Sequence, residues 1–317
     1  MGEMKRILAV AVGPHRDLVI DAQAGLSGVR AYIAGLVSGL SDYKRQLGAD
    51  YVIDYREREA DHLEDEKHAQ GAFGVSSQNP HHLVFAMSTT ALQAAKGVTN
   101  DRVPIVFPSV SDHRADGLAK RGNATGVSAR RSQTAGECFE RFLASVPTLK
   151  EVRVLTKPGY YPAERALKLV KAAAKKRKIT IKEIPVTSRA EIEKKLSAMA
   201  KRDLKKPAEA GLLVLPVDLC LGAAPLIIDL AQGRKNIPVF FPVTDWVRTT
   251  APSAFGGYGV PQHRCGKLAA EHVDQILWGS AKAGTLKVTE AANDAFDWAL
   301  SSDVARALNI TIPRVVG

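Results

Sequence analysis

The sequence predicts an α/β protein with two lobes, each built around a parallel sheet. Short apolar runs of strand length alternate with helix-length amphipathic segments along the chain. The short runs are almost continuously apolar, which is typical of parallel strands covered on both faces. The alternation restarts after Gly122, and 317 residues suffice for two domains of ordinary size. Two successive stretches of strand–helix alternation indicate two α/β lobes.

The elements of the first lobe follow from its apolar pattern. Strands are predicted at residues 7–12, 51–55, 83–87 and 104–107. The helical segments between them are predicted at 27–47, 59–70 and 90–97.

The second lobe shows the same alternation. Strands are predicted at 152–155, 179–184, 211–215 and 238–241, and helices start near residue 163 and span about 225–232. A further helix should begin at Ser188, because Ser188 and Glu191 have the spacing of a capping box.

The formal charge of +11 has a local source. Residues 150–206 hold 18 Lys and Arg against 6 Asp and Glu. Lys168, Lys171, Lys175 and Lys178 should lie on the outer face of a helix, with no interleaved aromatic residues on which bases could stack. The pattern favours a solvated basic face, so no nucleic-acid partner is expected.

The motifs of common enzymes and cofactor sites do not occur in the sequence. It contains no Walker A loop, no GxGxxG after a strand, no GxSxG and no HExxH. Cys138, Cys220 and Cys265 are too widely spaced for a zinc motif and are expected to be small apolar side chains. His81-His82 is expected in a surface loop. No cofactor, metal or catalytic residue is therefore predicted.

The N-terminal segment leaves two interpretations open. Residues 6–12 are apolar but too few for a secretory signal, so they are expected to form the first strand. The chain is then either cytoplasmic, or an exported protein whose signal peptide has been removed.

Polar residues follow the predicted strands at their carboxyl ends, where open α/β sheets bind ligands. Ser88, Thr89 and Thr90 place three hydroxyls at the start of a predicted helix, an arrangement that suits the binding of a carboxylate. The alternative is that Ser88 or Thr89 only caps that helix. The other candidate ligand-binding residues are Ser111, Asp112, Tyr160, Asp218, Asp245, Trp246 and His15. Together they suit an amphipathic, zwitterionic or aromatic small molecule.

Several stretches resemble one family. Residues 103–112 (VPIVFPSVSD), 122–128 (GNATGVS), 237–241 (IPVFF), 258–260 (YGV) and 305–313 (ARALNITIP) are similar to the ABC-transporter substrate-binding family that includes tryptophan/tyrosine-type receptors. The resemblance covers nearly the whole chain in matching order. It implies the type I periplasmic-binding fold, in which two Rossmann-like lobes are joined by a multi-strand hinge. The implied lobes are 1–124 with about 250–281, and 125–249 with about 282–317.

The resemblance also implies a function. The chain would be a monomeric, non-enzymatic receptor, either periplasmic or membrane-anchored outside the cytoplasm. It would close on a small carboxylate-bearing molecule, which is an amino acid, possibly aromatic, or a related organic acid. Its partner would be an ABC transporter permease. A longer opening loop and Leu219 after Asp218 depart from the family pattern. Two alternatives stay open: a cytoplasmic ligand-sensing domain of the same fold, and an enzyme using Asp112 and Asp218 as an acid/base pair.

Overall fold

A computed structural model describes residues 3–12, 16–20, 31–58, 81–99, 102–113, 122–248 and 252–313. The chain forms two compact units. Unit 1 comprises Met1–Ala129 and Gln262–Ala291, and unit 2 comprises Arg130–Pro261 and Ala292–Gly317. The chain therefore passes three times from one unit to the other. The lobe boundaries implied by the family resemblance stay a prediction.

Unit 1 contains a seven-stranded sheet in the order β12-β6-β5-β4-β1-β3-β2. Neighbouring strands are parallel except β2 and β3. β4, β5 and β6 are buried along their whole length. The strands are β1 (Lys5–Val12), β2 (Arg16–Ile20), β3 (Tyr51–Arg58), β4 (Leu83–Ala86), β5 (Ile105–Val110), β6 (Ala124–Ser128) and β12 (Thr289–Glu290).

Glycines allow two helices of unit 1 to pack with their backbones in contact. The described helices of unit 1 are α1 (Ala31–Asp42), α2 (Thr89–Thr99) and α9 (Gln262–Leu277). A Cβ on Gly35 would lie 1.9 Å from the His263 carbonyl oxygen, and one on Gly266 would lie 2.1 Å from the Tyr32 carbonyl oxygen. Both distances are far below van der Waals contact, so only glycine fits at this crossing of α1 and α9.

Unit 2 contains a six-stranded sheet in the order β13-β11-β10-β9-β7-β8. Neighbouring strands are parallel except β11 and β13. The strands are β7 (Glu151–Thr156), β8 (Thr180–Pro185), β9 (Ala210–Val214), β10 (Val239–Phe241), β11 (Gly256–Gly259) and β13 (Asp297–Leu300). The helices are α3 (Ala135–Ser145), α4 (Tyr161–Arg177), α5 (Arg189–Ser197), α6 (Asp218–Gly222), α7 (Ala224–Ile227), α8 (Asp245–Arg248) and α10 (Ser302–Ala307).

The core of unit 2 lies between this sheet and its helices. Phe142 of α3 stacks on Phe240 of β10, with ring centroids 5.0 Å apart. Apolar residues of α4 and α5 at helical spacing, among them Val170, Ile192 and Leu196, are fully buried in the same cluster. The periodicity of the sequence therefore identifies the buried faces of these helices.

Most predicted elements are confirmed, with shifts at their ends. The helix predicted at 27–47 ends at Asp42, because Lys44 adopts a left-handed conformation (φ +63°) and Arg45 N donates to Leu40 O. The helix predicted at 225–232 starts at Ala224 but continues as a π-helix over Ile228–Arg234. The helix predicted at 59–70 lies outside the described residues.

The capping box is confirmed in a shifted form. The Ser188 side chain accepts a hydrogen bond from Glu191 N at 3.3 Å. The Glu191 carboxylate reaches one residue further back than usual and accepts from Thr187 N at 2.8 Å. The hydrogen bonds from the backbone and side chain of Thr187 lower the pKa of Glu191. Together with the Ser188 cap they fix the start of α5.

The three cysteines are buried with free thiols, as expected. Burial raises the pKa of Cys220 to about 12 and also raises that of Cys138, so both thiols stay protonated near neutral pH. The outward positions predicted for Lys168, Lys171, Lys175 and Lys178 are also confirmed, since all four side chains are exposed.

The prediction that His81 lies in a surface loop is wrong. His81 is buried, and its Nε2 lies 2.7 Å from Asp54 Oδ2. Arg6 also donates to both oxygens of Asp54, at 2.9 and 2.7 Å from Nη2. Burial opposes ionisation of Asp54, but the bonds from His81 and Arg6 outweigh it, so the pKa of Asp54 lies below its ordinary value.

Asp54→Asn should lower the free energy of unfolding at pH 7 by about 1.5–3 kcal/mol, the range for hydrogen bonds to a charged group. Because the folded-state pKa is depressed, this stabilisation is complete above the unfolded-state pKa of about 4 and is lost as pH falls through the folded-state value. Urea unfolding from pH 7 to 3 measures it, with Glu193→Gln as control, because Glu193 is exposed. If the Asp54→Asn variant were as steeply acid-sensitive as the parent, this account would be contradicted.

Candidate functional site

The carboxyl edge of the unit 1 sheet carries the hydroxyls predicted from the sequence. Ser88 follows β4, and its Oγ accepts a hydrogen bond from Ala91 N at 3.0 Å. Ser88 therefore caps α2, while Thr89 and Thr90 in the first turn of α2 are buried. The N-terminus of an eleven-residue helix thus meets three hydroxyls at this edge. Such a cluster favours a negatively charged group.

The adjacent strand, β5, is irregular near its carboxyl end. The pairing of β5 with β6 shifts register between Phe107 and Val110. This irregularity precedes Ser111 and Asp112, which are both buried, Asp112 completely. The carboxylate of Asp112 is therefore part of the packed edge and not a solvent-exposed group.

In unit 2 the predicted residues follow β7 and β9. Tyr160 lies just before α4, and its hydroxyl donates to Asp218 Oδ2 at 3.5 Å. Asp218 is the first residue of α6, and Lys157 Nζ lies 5.9 Å from the centroid of the Tyr160 ring. The carboxyl edge of the unit 2 sheet thus carries a carboxylate, an aromatic ring and a cation close together.

The end of β10 contributes a residue that the sequence prediction missed. Asp245 and Trp246 open the short helix α8, as expected from their position after the strand. Thr244, directly before them, is completely buried, and its Oγ1 has no hydrogen-bond partner among the described residues. Its position in the sequence, between the end of β10 and the candidate residue Asp245, could have indicated it.

The glycine cluster 256–259 has a structural explanation. A Cβ on Gly257 would lie 2.2 Å from the Val243 carbonyl oxygen, and one on Gly259 would lie 2.2 Å from the Pro242 carbonyl oxygen. The glycines therefore let β11 approach the end of β10, next to Thr244. They are needed for packing and form no phosphate-binding loop.

The candidate residues fall into two groups. Those of unit 1 are Ser88, Thr89, Thr90, Ser111 and Asp112, and those of unit 2 are Tyr160, Asp218, Asp245 and Trp246. Asp112 and Asp218, the pair considered for acid/base catalysis, thus belong to different units. His15 lies outside the described residues. In the described part of the chain, no group of three or more His, Cys, Asp or Glu could hold a metal ion. None of its helices is long and apolar enough to cross a bilayer.

Comparisons with known proteins agree with this architecture. Residues 26–316 match the family model of the ABC transporter substrate binding protein. No curated protein matches the sequence.

Three solved structures illustrate the likeness of fold. A conserved domain protein from Vibrio cholerae is 23% identical with a TM-score of 0.75, covering 98% of this chain and 97% of that one. An ABC domain from Streptococcus pneumoniae, solved in complex with L-Trp, is 20% identical with the same TM-score and coverage. A probable maltose operon transcriptional repressor from Staphylococcus aureus is 11% identical with a TM-score of 0.62, covering 96% of this chain and all of that one.

The family model spans most of the chain, and the two mostly parallel sheets match the solved structures across nearly their full length. The chain therefore belongs to the ABC transporter substrate-binding protein family and has the type I periplasmic-binding fold, as the resemblance predicts.

Proposed function

We propose that this substrate-binding protein binds a small carboxylate-bearing molecule, an amino acid or a related organic acid, by closing its two units on it. The proposal is supported by the complementary chemistry of the two sheet edges. One unit presents hydroxyls and a helix N-terminus at the carboxyl edge of its sheet, and the other presents carboxylates and aromatic rings at the corresponding edge. These are complementary halves for a zwitterion.

In unit 1, the ligand carboxylate would bind at Ser88, Thr89 and Thr90. The N-terminus of α2 supplies backbone N–H groups and a positive dipole end. Ser88 Oγ accepts from Ala91 N and keeps its own O–H free to donate, so one residue serves as cap and as ligand contact. Ser111 and Asp112 extend the same edge.

In unit 2, the ligand amine would bind near Asp218 and Asp245, which are the first residues of α6 and α8. Tyr160 and Trp246 flank these carboxylates and suit an aromatic or large apolar side chain. The pneumococcal structure of the same fold was solved in complex with L-Trp, which makes amino acids the first ligands to test. Thr244, with its unpartnered buried hydroxyl, is a further candidate contact.

The closed, ligand-loaded form would be recognised by the permease of an ABC uptake transporter. Differential recognition of two conformations is what turns ligand binding into transport. We place the receptor outside the cytoplasm, as a monomer that uses no cofactor and no nucleic acid.

The second candidate is a ligand-sensing domain inside the cell, favoured by the likeness to the staphylococcal repressor. Fractionation of cells that express the natural gene separates the two. Recovery outside the cytoplasmic membrane supports the receptor, and recovery only in the cytoplasm supports the sensor.

A thermal-shift screen tests the ligand class. L-tryptophan, L-phenylalanine, L-leucine and indole-3-acetate are compared with D-glucose as a neutral control. A ligand that binds only the folded protein should raise the melting temperature by about 5–10 °C at a hundredfold excess over Kd. Native mass spectrometry of the purified protein identifies any compound that it retains. Stabilisation by the sugar alone would contradict the proposed class.

A further inference from the structure

The amino edge of the unit 2 sheet collects positive charge. β7, β8, β9 and β10 are mutually parallel, so the segments that precede them meet at one edge. Hydrogen bonds join these segments: Thr180 N donates to Lys150 O at 2.9 Å, and Arg202 N donates to Lys235 O at 2.9 Å. We name this surface the basic edge; its cations are Lys150, Lys175, Lys176, Arg177, Lys178, Lys201, Lys205, Lys206, Arg234 and Lys235.

Most of this charge is not neutralised by the protein. Ion pairs join Lys150 to Glu209, Arg177 to Glu140 and Arg234 to Asp229. The remaining cations have no ion pair within the described residues; they are Lys175, Lys176, Lys178, Lys201, Lys205, Lys206 and Lys235. Asp203 is an acidic residue of this edge, and its carboxylate accepts from Lys205 N at 2.9 Å.

The basic edge also contains a concavity. A cavity of about 330 Å³ lies between the end of α3 and the segment that follows α10. Its polar lining comes from Thr148, Lys205, Lys206, Asn309 and Thr311. Asn309 Nδ2 donates to Leu204 O at 3.0 Å, which holds the two walls together. The Thr148 hydroxyl already donates to Ala208 O at 2.9 Å. The two lysines, the Thr311 hydroxyl and the second N–H of the Asn309 amide suit a phosphate group.

We propose that the basic edge docks on the surface of an anionic phospholipid bilayer, with Lys205 and Lys206 at a headgroup phosphate and the other lysines on the surrounding headgroups. A juxtamembrane lysine contributes about 1 kcal/mol on an anionic surface, a roughly fivefold gain in binding per charge. The carboxyl edge, with Asp218 and Asp245, lies at the opposite ends of the strands and stays away from the bilayer.

A bilayer fits this surface better than a nucleic acid does. Within the described residues, the exposed large apolar side chains are Met4, Tyr43 and Tyr161. Tyr161 begins α4, at the other end of the helix from Lys175, so no exposed aromatic ring accompanies the lysines. Binding without stacking or insertion depends on charge alone and should be sensitive to salt.

Vesicle co-sedimentation of the full chain tests the proposal. Vesicles of equal parts phosphatidylglycerol and phosphatidylcholine should bind the protein at low salt and release it at about 0.5 M salt. Pure phosphatidylcholine vesicles should not bind it. The K175Q/K205Q/K206Q variant should bind on the order of 100-fold more weakly. The matched control K44Q/K282Q/K287Q removes three exposed lysines from unit 1 and should lose far less.

Other outcomes would overturn the proposal. Equal losses in both triple variants would mean that net charge alone drives binding. Release from the vesicles by millimolar inorganic phosphate at constant ionic strength would identify the cavity as a site for free phosphate. Tighter binding to a short DNA duplex than to the vesicles, at the same salt, would favour a nucleic acid. Melting temperatures of both variants near that of the parent show that they are folded.

Discussion

Gly266→Ala is expected to destabilise unit 1 by about 3 kcal/mol or more, at the upper end of the range for overpacked cores. The new methyl carbon would lie 2.1 Å from the Tyr32 carbonyl oxygen and 3.0 Å from Leu36 N. Both are backbone atoms of α1, so no side-chain rotation relieves the clash. The two helices would have to separate along their whole line of contact.

Gly97→Ala is the matched control. Gly97 lies in α2 of the same unit, and a Cβ there would meet nothing within 4 Å. Alanine is the better helix former, so this variant should be more stable than the parent by about 0.5–1 kcal/mol. Urea unfolding monitored by circular dichroism measures both changes. Similar stabilities of the two variants would contradict the described packing of α1 on α9.

Asp218→Asn is expected to weaken ligand binding by about 2–4 kcal/mol, which is roughly a 30- to 1,000-fold rise in Kd. The proposed partner of Asp218 is the ligand amine, and an amide cannot replace the charge of the carboxylate. Asn can still accept a hydrogen bond from the Tyr160 hydroxyl, so the melting temperature without ligand should stay close to that of the parent. Isothermal titration calorimetry with the ligand found in the screen measures the affinity.

Asp229→Asn provides the control for this substitution. Asp229 belongs to the same unit and pairs with Arg234 at 2.7 Å, in the π-helical segment. Its removal should leave the Kd unchanged. If Asp218→Asn also leaves the Kd unchanged, Asp218 is not part of the binding site.

The sequence predicted the fold well because most buried strands are continuous apolar runs. β1, β4, β7 and β9 all start and end within a few residues of the predicted positions. β2 was missed, because Arg16 and Asp17 make the start of its sequence polar. As an antiparallel edge strand, β2 pairs only with β3 in the described sheet, so its apolar pattern is weak.

The π-helix at Ile228–Arg234 could not have been predicted from local pattern, because its residues also satisfy α-helical spacing. The contact of His81 with Asp54 could not be predicted from the local sequence either. Asp54 is 27 residues away from His81 in sequence, and only the pairing of β1 with both β3 and β4 brings them together. Long-range ion pairs of this kind leave no local sequence signal.

The positions of the candidate residues at strand ends could be predicted, but their burial and hydrogen bonds could not. Strand ends locate Ser88, Asp218 and Asp245 correctly at the carboxyl edges. The sequence could not tell that Ser88 caps α2, that Asp112 is completely buried, or that Thr244 has an unpartnered hydroxyl. Burial and hydrogen bonding depend on tertiary packing, which adjacent residues do not encode.

Small-angle X-ray scattering tests most directly whether the two units close on a ligand. The radius of gyration of the protein is measured without ligand and at saturation with the compound that stabilises it. The proposed closing of the two units on the ligand predicts a smaller radius of gyration in the saturated protein, and a smaller decrease for Asp218→Asn at the same ligand concentration. A radius of gyration that stays the same at proven saturation would contradict closure.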